Sequence, residues 1–234
     1  MSLEAKLDAT TACLRAIAAE HPDAVLANSY GAEDMVLIDL IARLDLRIAA
    51  FSLDTGRLPA ETYDLMQRVE ERYPSHPVTV YFPQAAAVEH YVKLHGINGF
   101  YHSVDQRKSC CQVRKLEPLK RALAGRSAWI TGLRREQSPT RQDLQVSEYD
   151  ADNGLQKFSP LLDWSEGEVW DYLRAHEVPY NALHGRHYPS IGCAPCTRAI
   201  SVGEDVRAGR WWWENPESKE CGLHAKASPL KRPA

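Results

Sequence analysis

Three times within its first hundred residues the chain passes from a short apolar run, through a loop, into a segment of helical character, at 24–44, 47–73 and 78–95. Repeated strand–loop–helix units close as an α/β fold, a mainly parallel sheet flanked by helices. The spacing predicts strands over 24–27, 48–53, 78–82 and 128–131, and helices over 35–44 and from Pro59 to Tyr73. Leu3, Leu7, Leu14 and Ile17 recur at helical spacing and add an amphipathic helix at the start. In sheets of this kind ligands sit outside the carboxyl ends of the strands. Three loops leave those ends: SYGAED (29–34), DTGRLPAET (54–62) and GLRREQSPTR (132–141). From about Arg207 no period remains, so the sequence divides into a body over 1–206 and a C-terminal tail over 207–234.

The 234 residues are 44% hydrophobic and 25% charged, with a net charge of −3. That composition argues against a disordered chain and against a globally basic nucleic-acid binder. No apolar run has the length of a membrane span, and the charged first turns do not read as a signal peptide. Six cysteines without a leader point to thiol or metal chemistry in a reducing compartment, hence a cytoplasmic location with neither membrane nor nucleic acid as partner.

Cys110 and Cys111 are adjacent, and Cys193 and Cys196 form a CxxC unit. Neighbours about 3.8 Å apart at Cα are awkward ligands for one tetrahedral ion and would strain a disulfide. They bind different irons of one cluster more easily. Spacing alone leaves a cluster, zinc and free thiols open. Cys221, in KECGLH, has no cysteine near it. Lys219 and His224 favour its thiolate, against the plainer reading of a stray exposed thiol. Cys13 fits a small buried apolar residue.

Ten basic residues lie between Arg107 and Arg141, against Glu117 and Glu136 alone. Arg134, Arg135 and Arg141 fall in a loop at a strand's carboxyl end, where planar guanidinium groups suit phosphate or sulfate oxygens. The SYGAED loop can present backbone N–H groups to an anion at a helix start, or be an ordinary capped helix. Trp211-Trp212-Trp213 reads better as a buried root of the tail than as a base-stacking platform. No HExxH pattern supports a catalytic zinc.

In combination SYGAED, LDTGR (53–57), the CC pair followed by RK (110–115), TGLRREQSPTR (131–141), GCAPCTR (192–198), GEDVRAGRWWWE (203–214) and KECGLH (219–224) resemble the assimilatory adenylylsulfate reductases, the cluster-bearing branch of the phosphoadenylylsulfate reductase family. The resemblance runs from about Asn28 to His224. It implies an adenine-nucleotide α-hydrolase-like fold and thiol-dependent reduction of adenosine 5′-phosphosulfate to sulfite and AMP, in sulfate assimilation and cysteine biosynthesis. It assigns the substrate to Ser29, Gly31, Ala32, Glu33, Asp34, Leu53, Asp54, Thr55, Gly56 and Arg57, with Lys115, Arg134, Arg135, Gln137, Arg141, Arg207 and Arg210 around its anionic groups. Cys110, Cys111, Cys193 and Cys196 would ligate a [4Fe–4S] cluster, and Cys221 would be the nucleophile. Thioredoxin or glutaredoxin is the expected reductant, and a homo-oligomer the expected assembly. No role falls on Arg107, Lys108 or Ser109. The alternatives are 3′-phosphoadenylylsulfate as substrate, an ATP-pyrophosphatase-type thiolation enzyme, against which the loop SYGAED counts in place of SGGxDS, and a cluster-based redox sensor.

Overall fold

Val25–Ala27 (β1), Ala49–Leu53 (β2), Val78–Tyr81 (β3) and Ala128–Ile130 (β4) pair in parallel, as their apolar composition predicts. The computed structural model describes residues 2–138 and 141–215. Two further strands, Ser147–Asp150 (β5) and Leu155–Phe158 (β6), complete a six-stranded sheet of order β3-β2-β1-β4-β6-β5. β6 runs parallel to β4, and β5 returns antiparallel at the edge.

Alternation along the strands feeds two cores. Leu26, Ala50, Ala128 and Ile130 join a large apolar cluster with Leu3–Glu20 (α1), Ala32–Arg43 (α2), Ala60–Arg72 (α3) and Glu166–Ala175 (α7). Val25, Phe51, Trp129 and Leu155 face the opposite side and pack on Leu119, Ala122 and Leu123 of Glu117–Leu123 (α6). Helices thus cover both faces. Ala85–His95 (α4) packs on Val104–Cys111 (α5), and a π-helical turn over Gln112–Leu116 joins α5 to α6. Ser2 caps α1 through its side chain. Among the described residues no helix is long and apolar enough to cross a membrane.

Two expectations need correction. α2 begins at Ala32, three residues before its apolar run, because Gly31 at φ −70° and ψ 161° opens the helix. Residues 207–215 are also packed into the body, so the division placed at residue 206 falls inside a packed segment. Trp211 is 1% exposed. Arg210 bridges Thr197 in antiparallel fashion. Glu214 forms a buried ion pair with Arg107.

Candidate active site

β1 is the strand at which connectivity reverses, with β2 on one side and β4 on the other. A cavity of about 460 Å³ opens there, reached by Ala27 at the end of β1 and Asn28 after it, Leu53 at the end of β2 and Thr131 after β4. Phe51, Leu119 and Trp129 give it an apolar wall. Lys115, Arg141, Arg207 and Arg210 supply cationic lining.

The SYGAED loop lies at the cavity mouth, and Ser29, Gly31, Ala32, Glu33 and Asp34 all line it. Its turn is set locally: Asn28 Oδ1 accepts from the Tyr30 N–H at 2.7 Å and supports Tyr30 at φ 61°. Asp34 Oδ2 accepts from both the Ser29 N–H and the Ser29 hydroxyl at 2.7 Å. Burial pushes the Asp34 carboxyl up to about 6, against the pull of the Ser29 hydrogen bonds. Gly132 passes so close to this loop that a Cβ would strike Asp34 Oδ1 and lie 2.8 Å from Glu33 Cβ. Gly132→Ala is therefore expected to cost about 1–3 kcal/mol, lowering the melting temperature by about 2–4 °C per kcal/mol. Gly185→Ala, where a Cβ meets nothing within 4 Å, serves as the control in the same melts.

The LDTGR loop is divided. Leu53 and Thr55 line the cavity. Asp54, Gly56 and Arg57 do not; they brace the neighbouring cysteine turn. Asp54 Oδ1 accepts from the Gly56 N–H at 2.7 Å and from Tyr63 Oη at 2.9 Å, with Gly56 at φ 69°. The Arg57 guanidinium donates to the Ile97 carbonyl and Asn98 Oδ1 at 2.9 Å each. Its own carbonyl accepts from the Ala194 N–H at 2.8 Å.

The basic loop after β4 is also divided. Arg134, Gln137 and Arg141 line the cavity, whereas Arg135 turns away, donating to Asp163 at 2.8 Å and to the carbonyls of Gln142 and Leu144. Of the expected anion contacts, Arg135 is the one whose fork here holds the loop to the body. Arg134 is matched by Glu33 at 2.8 Å and Glu136 at 2.9 Å, so its charge is offset within the wall. Gln137 Oε1 accepts from the Arg134 N–H at 3.1 Å and from Arg141 Nη1.

Beside the cationic wall the cysteines converge. Cys110 and Cys193 pack in one cluster with Cys196, Phe100, Trp211 and Trp213. Cys111 lies near enough to Cys196 to act on it electrostatically, and the described cysteines form no disulfide with one another. Burial pushes the Cys196 thiol up to about 12, and the Cys193 and Cys111 thiols add to the rise. Arg114 offsets part of the burial effect on Cys110, and Thr55 Oγ1 lies 3.2 Å from Cys193 Sγ. Among the described residues no group of three His, Cys, Asp or Glu is gathered as tightly as one metal ion requires. Two thiols from each of two segments are the donor number and type that a four-iron cluster would take, one thiolate to each iron. Cys13 is half-buried against the main core, and burial raises its thiol. Cys221 lies outside the described residues.

Four residues in or around the site escape a sequence reading. Arg114 is buried and donates to the Thr55 carbonyl at 2.6 Å, tying the LDTGR loop to the cysteine helix. Arg107 and Glu214 form their pair across more than a hundred residues. His184 lines the cavity, and burial lowers its imidazole. Arg114 lies in a π-helical turn, a feature that collects at functional sites but that sequence periodicity does not reveal.

Sheet order and cleft position define an α/β protein of the nucleotide-binding type. The phosphoadenosine phosphosulfate reductase domain matches residues 23–199, and the chain belongs to that family. The adenosine 5′-phosphosulfate reductase of Allochromatium vinosum is 59% identical over 221 residues, covering 94% of this chain and 86% of that protein. The protein of the same name from Burkholderia cepacia is 54% identical over 222 residues, covering 95% and 88%. The crystal structure of phosphoadenylyl-sulfate reductase from Candida auris, a phosphate complex, superposes with a TM-score of 0.70 at 27% identity, over 82% of this chain and 90% of that one.

Proposed function

We propose that the chain reduces adenosine 5′-phosphosulfate to sulfite and AMP in sulfate assimilation, drawing two electrons from thiols. The observation that carries this is the juxtaposition of a nucleotide-sized cleft with cationic lining and a convergence of four thiols, joined by the segment that bears both Cys111 and Lys115. Relatives more than half identical over nearly the whole chain bear the name of this activity.

The chemistry follows from charge. Sulfate resists a thiolate because its anionic oxygens repel it, and adenylation supplies AMP as a leaving group. Lys115, Arg141, Arg207 and Arg210 neutralise the phosphosulfate and meet the charge that moves onto the departing phosphate. Each such contact contributes about 3–4 kcal/mol, the scale of one oxyanion-hole donor. The apolar wall at Phe51, Leu119 and Trp129 receives the adenine, and the backbone N–H groups at the start of α2, from Ala32 onward, meet the anion. Cys221, after losing its proton, attacks sulfur. The Cys221 Sγ–S bond forms as the S–O bond to AMP breaks. A thiolate of thioredoxin or glutaredoxin then attacks Cys221 Sγ and expels sulfite, and the carrier's second thiol resolves the mixed disulfide.

Cys110, Cys111, Cys193 and Cys196 would hold a [4Fe–4S] cluster. When bound, it supplies a cross-link between the cysteine helix and the CxxC turn, which fixes Lys115 beside the cavity. Thr55, Arg114, Tyr91 and Arg107 would surround its thiolates.

Incubating anaerobically purified protein with adenylylsulfate, with its 3′-phosphorylated form, or with ATP, each with thioredoxin, tests the reading. Sulfite and AMP from the first are expected. Sulfite from the 3′-phosphorylated nucleotide alone, or pyrophosphate from ATP, would replace the assignment with one of its alternatives.

A further inference from the structure

Arg107 does not line the cavity, yet it is one of the most buried groups among the described residues, 1% exposed. Its Nε and Nη2 donate to the two carboxylate oxygens of Glu214 at 2.8 Å each. The Glu214 side chain is itself 3% exposed. A two-pronged pair between planar groups fixes orientation as well as distance. The guanidinium carbon of Arg107 lies 4.6 Å from the Trp211 ring centre, and that of Arg210 lies 4.8 Å from the same ring. The ring therefore carries two cations, while the Trp211 backbone N–H donates to the Cys196 carbonyl at 3.1 Å. Arg107 also stands one helical turn before Cys111, beside its thiol. Arg210, which lines the cavity, is held by the Ile191 carbonyl at 3.1 Å, and Gly192 leaves no room beside it for a Cβ.

We propose that Arg107 is a positioning residue for Arg210: by holding the Glu214 carboxylate and the Trp211 ring to α5, it keeps the Arg210 guanidinium at the cavity wall. The inference rests on the function proposed above and deepens it. Stability alone does not require this ion pair, because a buried pair exchanged for apolar residues of similar size is often neutral or better. Charge placement does require it. Two guanidinium groups share one ring, and Glu214 is the anion that offsets their repulsion. Without Arg107, a buried carboxylate stands three residues from Trp211 and four from Arg210, and it draws Arg210 out of the cavity. Without the Glu214 charge, the two arginines repel and Arg210 leaves the ring.

The test uses the full chain, purified anaerobically, with iron content measured alongside kinetics and AMP calorimetry. Arg107→Met is expected to raise KM for adenylylsulfate and weaken AMP about tenfold, the scale of one charge-assisted contact. Because Arg107 also stands beside the Cys111 thiol, the affinities are compared at equal iron content, and the loss is expected to persist in the iron-bearing fraction. Adding Glu214→Met should bring both affinities back toward the parent, because the competing carboxylate is gone. Should Arg107→Met fail to fold, Glu214→Gln carries the test: it keeps a hydrogen-bond acceptor for Arg107, removes the charge, and should show the same loss of affinity. Unchanged affinity in the folded, iron-bearing single variants, or a double variant as impaired as Arg107→Met, would overturn the proposal. A parent that binds AMP but makes no sulfite sinks the function reading alone, and the AMP titrations still decide the role of Arg107. A parent that binds no adenine nucleotide overturns both.

Discussion

Replacing Cys221 by serine will abolish sulfite release from adenylylsulfate, by about 10⁴–10⁶-fold, the scale seen when a nucleophile is removed. AMP affinity should change by no more than about twofold, because the substitution leaves every described lining residue of the cavity in place. A serine hydroxyl fails on both halves of the reaction. It is almost wholly protonated near neutral pH, whereas a cysteine thiol gives up its proton far more readily and is the stronger nucleophile. Even a sulfated serine would be a dead end, since the second step is thiol–disulfide exchange and needs a sulfur at that position to accept the carrier thiolate. The described thiols offer no replacement. Burial raises Cys110 and Cys196, and those two pack with Cys193 among Phe100, Trp211 and Trp213. Two measurements check the point: a sulfite assay with thioredoxin, and intact mass after adenylylsulfate is added without reductant. The parent should gain one sulfonate group on Cys221, and the serine variant none. Turnover at the parent rate in the variant would remove Cys221 from the mechanism.

The parts of the fold legible in sequence are those whose signal is local. β1, β2 and β4 are short, mainly apolar runs that the core buries on both faces, so their composition is sufficient. The same holds for α1, with its spaced leucines and Ser2 cap. β5 was not legible because Ser147-Glu148-Tyr149-Asp150 is a polar edge strand that exists only by pairing with β6. The start of α2 was misplaced because its first turn is held by the SYGAED loop rather than by apolar periodicity. At the site, sequence identified which residue types converge but not where each side chain is spent. Arg134 and Arg135 are adjacent and alike, yet one lines the cavity between two glutamates and the other anchors its loop to Asp163. Arg107 looked dispensable because its partner is Glu214, beyond any local window. The tryptophan run is buried at Trp211, as its composition suggested, but Trp212 remains about half exposed.

Cys193→Ser should remove most of the iron and lower sulfite formation more than about 100-fold, the upper end of the range for disturbing a metal site's supporting groups. The reason lies in what Cys193 joins. Its sulfur touches the Thr55 hydroxyl, the Thr55 carbonyl holds Arg114, and Arg114 belongs to the π-helical turn that carries Lys115. A serine oxygen is a hard, protonated ligand that iron–sulfur chemistry does not favour. With that ligand gone, the CxxC turn and the cysteine helix lose their cross-link. What remains is a buried set of thiols with Cys196 raised to about 12, unable to carry thiolate charge near neutral pH. Lys115 then no longer has a fixed place at the cavity, so AMP affinity falls together with turnover. Cys13→Ser is the matched control: Cys13 packs against the main core, far in sequence from either cysteine pair, and its replacement should leave iron and sulfite formation unchanged. Iron and labile sulfide assays beside anaerobic activity and AMP calorimetry read all three effects. Full activity in an iron-free Cys193→Ser protein would refute the cross-linking role, whereas lost activity with iron retained would move Cys193 from cluster ligand to substrate contact.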